Sequence, residues 1–132
     1  MIPLFKVHVP KGIESTITSV WNSGFVTEGE HSDEFEKQFS RYVKNSNTSL
    51  VNSCTSALSL ASRMCDIKPG DEVITTPMTC MATNIPFAND GAKLIWADID
   101  PSTGNIDPES VKGLITSKTK AIVGVHWAGQ PF

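Results

Sequence analysis

The 132-residue sequence predicts an α/β fold with a mostly parallel sheet and flanking helices. Three observations carry that prediction. Apolar residues recur at helical spacing through the amino-terminal third. Beyond it, short apolar runs alternate with helical stretches. Those runs are nearly continuous in apolar character, as strands covered on both faces are.

Taken in order, the opening segment is extended, because Pro3 and Pro10 interrupt any helix. Ile13, Ile17, Val20 and Trp21 define a first helix, closed by Gly24 at the cap position. Gly24–Gly29 reads as a loop. Ser32 is the expected N-cap of a second helix, with Phe35, Phe39, Tyr42 and Val43 on one face. After a polar turn at Asn45-Ser46-Asn47, Ser49-Leu50-Val51 is a short strand candidate. It leads through Asn52–Ser56 into a helix whose stripe is Ala57, Leu58, Leu60, Ala61 and Met64.

Pro69-Gly70-Asp71 is a turn, followed by a strand over Glu72–Thr76 that Pro77 ends. A helix is expected over Cys80–Ala88, with Pro86 weakening its last turn, then a strand over Lys93–Asp98. Asp107-Pro108-Glu109 has the cap, first-position proline and early acid of a helix start. Lys120–His126 is the last strand and reads as a central one. A parallel sheet needs a covering helix after such a strand, so the sequence is expected to be part of a larger domain. The division expected is a helical segment over 1–48 and an α/β portion over 49–132.

Composition excludes several classes. With 39% hydrophobic and 19% charged residues the chain reads as globular, and a net charge of -3 gives no electrostatic reason for nucleic acid or a membrane as partner. No run is long enough to span a bilayer, and the first ten residues lack the plan of a signal peptide. Cys54, Cys65 and Cys80 are odd in number and lack metal-site spacing, so neither disulfides nor a metal site is expected, and a cytoplasmic location is.

The junction Asn52-Ser53-Cys54-Thr55-Ser56-Ala57 is the most informative stretch. Small residues entering a helix leave amides free for an anion, and the helix dipole favours negative charge. The same residues also make an ordinary helix cap, and both readings stay open. Walker-A and GxGxxG patterns are absent. A thiol at a helix start could alternatively act as a nucleophile, with His126 as base. His8 and His31 read as surface residues, Asp98 and Asp100 as turn formers, and Trp21, Trp96 and Trp127 as packing residues.

The segments SGFVTEGEHSDEFEKQFSRYV, VNSCTSAL, KPGDEVITTPMTCMATNIPFANDGAKLIWADIDPSTGNID and AIVGVHWAGQP, in this order and spacing, resemble the DegT/DnrJ/EryC1/StrS family of pyridoxal-phosphate (PLP) dependent sugar aminotransferases. The resemblance implies the amino-terminal part of the large domain of a fold-type-I PLP enzyme. It implies transfer of an amino group from an amino-acid donor to a nucleotide-linked keto-sugar, and a homodimer. The family's phosphate turn falls on Ser53-Cys54-Thr55-Ser56, with Cys54 in place of the usual glycine or small residue and the Thr55 and Ser56 amides on the phosphate. Cys80 stands where an aromatic usually stacks on the pyridine ring, which leaves Cys80 or Met81 as a sulfur contact. Thr27 is the implied sugar or phosphate contact, and His126 is either a substrate contact or a satisfied strand-end residue.

No catalytic residue is assigned. The family's pyridine-nitrogen aspartate and Schiff-base lysine are expected beyond Phe132, and none of the nine lysines present stands in that lysine's context. The chain alone is therefore expected to be inactive. A PLP-dependent sugar dehydratase and a non-catalytic truncated homologue remain alternatives.

Overall fold

A computed structural model describes residues 2, 3 and 6–132. It divides into two compact units, residues 1–50 and 51–132.

The first unit holds α1 (Ile13–Ser23) and α2 (Glu30–Val43), and neither buries a residue. Helix α1 stops where Gly24 turns left-handed at φ 76°, returning its N–H to the Trp21 carbonyl. Helix α2 starts three residues earlier than the sequence suggests. Gly29 is the cap, and its carbonyl takes the Ser32 and Asp33 amides at 3.0 and 3.1 Å, so Ser32 lies inside the first turn. The expected aromatic face is present, with Phe35 and Phe39 stacked at 5.8 Å. The expected strand at Ser49–Val51 does not form. A strand needs a ladder, and here the Leu50 N–H goes instead to a carboxylate oxygen of Glu36.

The second unit is a three-stranded parallel sheet, ordered β2-β1-β3, with three helices. Its elements are α3 (Cys54–Met64), β1 (Glu72–Thr75), α4 (Met81–Asn89), β2 (Lys93–Trp96), α5 (Pro108–Leu114) and β3 (Thr119–Ile122). A short 3-10 turn, Trp127–Gly129, follows. Glu72 to Thr75 pair in register with Lys93 to Trp96, while Val73 and Ile74 pair with Ala121 and Ile122 across a register shift.

Strand β1 is the central one, and all four of its residues are buried. Alternation sends Val73 and Ile74 to opposite faces. Val73 packs with Ile67 and Phe87, joined by Leu58, Leu94 and Ala121, beneath α3 and α4. Ile74 packs with Ala97, Ile106 and Val111, beneath α5. Full burial of each such side chain contributes about 1.5–3 kcal/mol. Strand β3 was expected to be central, yet among the described strands it pairs only with β1, and its burial alternates.

The inward side of α3 also differs from expectation. Leu58 and Ser62 face the sheet at i, i+4 spacing, whereas Leu60 and Met64 are exposed. The chain drops directly from α3 into Ile67 and β1, and the Ile67 N–H to Ser62 carbonyl bond fixes the helix rotation that results. Helix α5 begins as its sequence suggests: Asp107 caps it by accepting the Glu109 N–H, with Pro108 in the first turn.

Candidate functional site at the carboxy-terminal edge of the sheet

Strand β1 leads into α4 and then β2 on one side, and β2 crosses back through α5 to β3 on the other. Right-handed crossovers in opposite directions place their helices on opposite faces. The reversal also opens a crevice at the carboxy-terminal ends of the strands, where α/β sheets bind ligands.

Helices α3 and α4 run side by side in the same direction. Their carboxy-terminal ends are joined by the Arg63–Asp90 ion pair at 3.8 Å. Since α4 starts where β1 ends, both helices present their amino termini at the crevice edge. Unpaired amides and a positive dipole end come with each terminus.

At the start of α3, Ser53 is extended, and its Oγ accepts the Ser56 N–H at 3.1 Å. The Ser56 hydroxyl donates to Asn52 Oδ1 at 2.6 Å. The Ala57 N–H goes to the Ser53 carbonyl. The Cys54 and Thr55 amides have no partner among the described residues. Of the two amides that the sequence singled out, Thr55 is thus free and Ser56 is held by the cap. An incoming anion must displace the Ser53 hydroxyl to reach Ser56. Cys54 itself is exposed.

At the start of α4, Cys80 is the cap residue, exposed and without a side-chain cap bond. Met81 is also exposed and lines an apolar hollow of about 300 Å³ with Pro77, Ile85, Leu94 and Trp96, along the β2 side of α4. His126 follows β3, and its Nδ1 accepts the Phe132 N–H at 3.4 Å. No hydrogen bond joins it to Cys54, so nothing in the geometry supports a thiol–imidazole pair. Thr27 belongs to the first unit, in a hollow of about 250 Å³ bounded by Ser19, Phe25 and His31.

Two buried asparagines escaped the sequence reading. Asn84 accepts the Thr75 hydroxyl at 2.8 Å and donates to the Thr76 carbonyl at 3.1 Å, which ties the end of β1 to α4. Asn105 accepts the Trp127 N–H at 2.8 Å and donates to the Gln130 carbonyl at 3.1 Å. A polar residue three places before buried Phe87, on a largely apolar helix, is the signal that could have found Asn84.

The shifted carboxyls do not form the candidate site. The Thr116 hydroxyl holds the Glu72 carboxyl below the usual range, with Lys93 adding to the effect, at the opposite edge of the sheet. The Ser102 hydroxyl and amide do the same for Asp100, consistent with its role in a turn. Among the described residues, no group of three or more His, Cys, Asp or Glu could hold a metal, and no helix is long and apolar enough to cross a membrane.

The family model described as the DegT/DnrJ/EryC1/StrS aminotransferase family matches residues 9–132. The spore coat polysaccharide biosynthesis protein SpsC of Bacillus subtilis is 43% identical over 114 residues, covering 86% of this chain and 29% of that protein. The structure of AtS13 from Actinomadura melliaura superposes with a TM-score of 0.92 at 38% identity, covering all of this chain and 36% of that one. The PLP-form of Spr1654 from Streptococcus pneumoniae, described as a sugar aminotransferase, superposes with a TM-score of 0.90 at 32% identity, covering 99% and 33%. The chain thus spans about a third of the length of these relatives.

Proposed function

The chain belongs to the DegT/DnrJ/EryC1/StrS aminotransferase family, and from that premise we propose that it forms the cofactor-phosphate side of a PLP-dependent enzyme that aminates nucleotide-linked keto-sugars. Its relatives in the family are PLP-dependent sugar aminotransferases with a fold-type-I large domain, and the fold of this chain is theirs. The observation that carries the reading is the amino terminus of α3, where the Cys54 and Thr55 amides face the crevice edge without partners among the described residues.

These residues fit a phosphate. Two free amides, the Ser53 and Ser56 hydroxyls and the helix dipole all favour a dianion, and each hydrogen bond to a charged group contributes about 1.5–3 kcal/mol. They fit a pyridine ring less well, because exposed Cys80 has no π face and offers at most a soft sulfur contact. PLP supplies an electron sink when bound. This chain's contribution is to hold and orient its phosphate, with His126 and Thr27 as candidate substrate contacts and Met81 as a second sulfur contact. A cytoplasmic homodimer with an amino-acid donor is part of the same reading.

We further propose that the 132-residue chain performs no amino transfer by itself. All nine lysines are exposed. In the second unit, Lys68, Lys93, Lys118 and Lys120 precede or open the strands, at the edge opposite the α3 terminus. Lys68 and Lys93 are also paired with Asp66 and Glu72, at 2.5 and 3.6 Å. The experiment is incubation with PLP, borohydride reduction and peptide mapping, run beside an amino-transfer assay. Scattered, substoichiometric lysine labelling without turnover is expected. Stoichiometric labelling of one lysine with turnover would show that a lysine of this chain serves the reaction.

A further inference from the structure

We propose that Asn105 is a positioning residue, whose side-chain amide holds the turn after β3 and thereby sets where His126 stands at the crevice edge. Its functional part rests on the reading of that edge as the cofactor side.

Asn105 is only 3% exposed, and its side chain is spent on backbone groups more than twenty residues away. The carbonyl oxygen accepts the Trp127 N–H at 2.8 Å, and the amide donates to the Gln130 and Pro131 carbonyls at 3.1 and 3.3 Å. The residue is itself pinned, since its N–H goes to Thr103 Oγ1 and its carbonyl accepts the Asp100 N–H.

The turn it grips is not one that the local chain favours. Ala128 and Gly129 are left-handed in succession, at φ 51° and 81°, a conformation that a residue with a Cβ disfavours. Three bonds from one buried amide keep it closed. The grip is reinforced where the Trp127 ring packs on Gly104, so closely that a Cβ there would lie 2.8 Å from Cδ1. On the far side, the Phe132 ring covers Gly124 and lies 4.6 Å from the His126 ring. His126 is therefore bracketed between the end of β3 and a turn that Asn105 closes. Without the amide, the turn can relax and carry the imidazole away from the crevice.

The test uses the full chain as wild type, N105A and N105D, followed by NMR of backbone amides and the histidine imidazole. The probes are inorganic phosphate and pyridoxine 5′-phosphate, which lacks the aldehyde and so does not react with lysines. In the wild type, both probes should shift the Thr55 amide, and only the ring-bearing probe should shift His126. In N105A, the response of Thr55 to phosphate should stay within twofold, while affinity for pyridoxine 5′-phosphate falls at least threefold and the His126 response disappears. N105D should fail as N105A does, because a carboxylate offers no donor to the Gln130 and Pro131 carbonyls.

A space-filling role predicts that the isosteric N105D behaves as wild type, and that result overturns the proposal. So does an unchanged His126 response in N105A. Silence of Thr55 toward both probes in the wild type would sink the cofactor reading instead. Asn105 would then stand or fall on amide exchange, with Trp127 N–H protection present in the wild type and lost in N105A. If N105A does not fold, wild-type exchange decides. Protection of Trp127 at least tenfold above the exposed Thr27 and Glu28 amides supports the grip, and equal exchange overturns it.

Discussion

Replacing Asn84 by alanine removes a buried side chain that hydrogen-bonds the end of β1 to α4. Asn84 is 8% exposed, and its two partners are better shielded still, Thr75 at 0% and Thr76 at 1%. Removal leaves the Thr75 hydroxyl and the Thr76 carbonyl without partners in a region that water does not reach. Each such orphaned group costs about 1–3 kcal/mol. Alanine's better helix propensity returns about 0.6 kcal/mol, and the Thr75 hydroxyl can rotate, so the net loss should be about 3 kcal/mol. Urea unfolding of N84A against wild type reads this directly. A double-mutant cycle with T75V should show coupling of about 1 kcal/mol or more, since both changes act on one bond. A loss below about 1 kcal/mol, or strictly additive variants, would refute the view that this latch holds the crevice edge.

Two further outcomes follow from groups outside the site. Ser62 Oγ is the one buried side-chain polar atom among the described residues that lacks a partner. S62A should therefore raise stability by about 1 kcal/mol in denaturant unfolding, through relief of desolvation and better helix propensity; a loss of stability would reveal a partner for the hydroxyl. The Glu72 carboxyl is lowered in the folded state, first by the Thr116 hydroxyl 2.7 Å away. A lowered carboxyl contributes stability above its unfolded value that is lost as pH falls through the folded one. The stability gap between wild type and T116V should accordingly be widest above about pH 5 and narrow as pH falls below the ordinary glutamate value of about 4.3. A gap independent of pH would contradict the assignment.

How far the sequence was legible varies with the range of the interaction involved. Local chemistry read well: Gly24 ends α1, Asp107 and Pro108 open α5, and Pro77 closes the run that becomes β1. The small polar run at Asn52–Ser56 marked the start of α3, because caps are made by neighbours in sequence. Face selection read poorly where hydrophobicity and geometry disagreed. Leu60 and Met64 look like core, yet the entry into β1 turns Ser62 inward. Ser49–Val51 is apolar enough for a strand, but pairing depends on a partner that periodicity does not reveal. The two asparagines were missed for the same reason. Their partners lie 8 and 9 residues away for Asn84 and 22 or more for Asn105, and the intervening sequence does not specify which groups they meet.

The central claim is that the amino terminus of α3 receives the cofactor's phosphate, and amide NMR during a titration of the full chain with PLP tests it most directly. The largest shifts should fall on the Cys54, Thr55 and Ser56 amides, with Ser56 changing partner as the Ser53 hydroxyl is displaced. Inorganic phosphate should compete for the same amides. Shifts confined to lysine-bearing segments, with these three amides unmoved at saturation, would contradict the claim and leave the terminus of α3 as a helix cap alone.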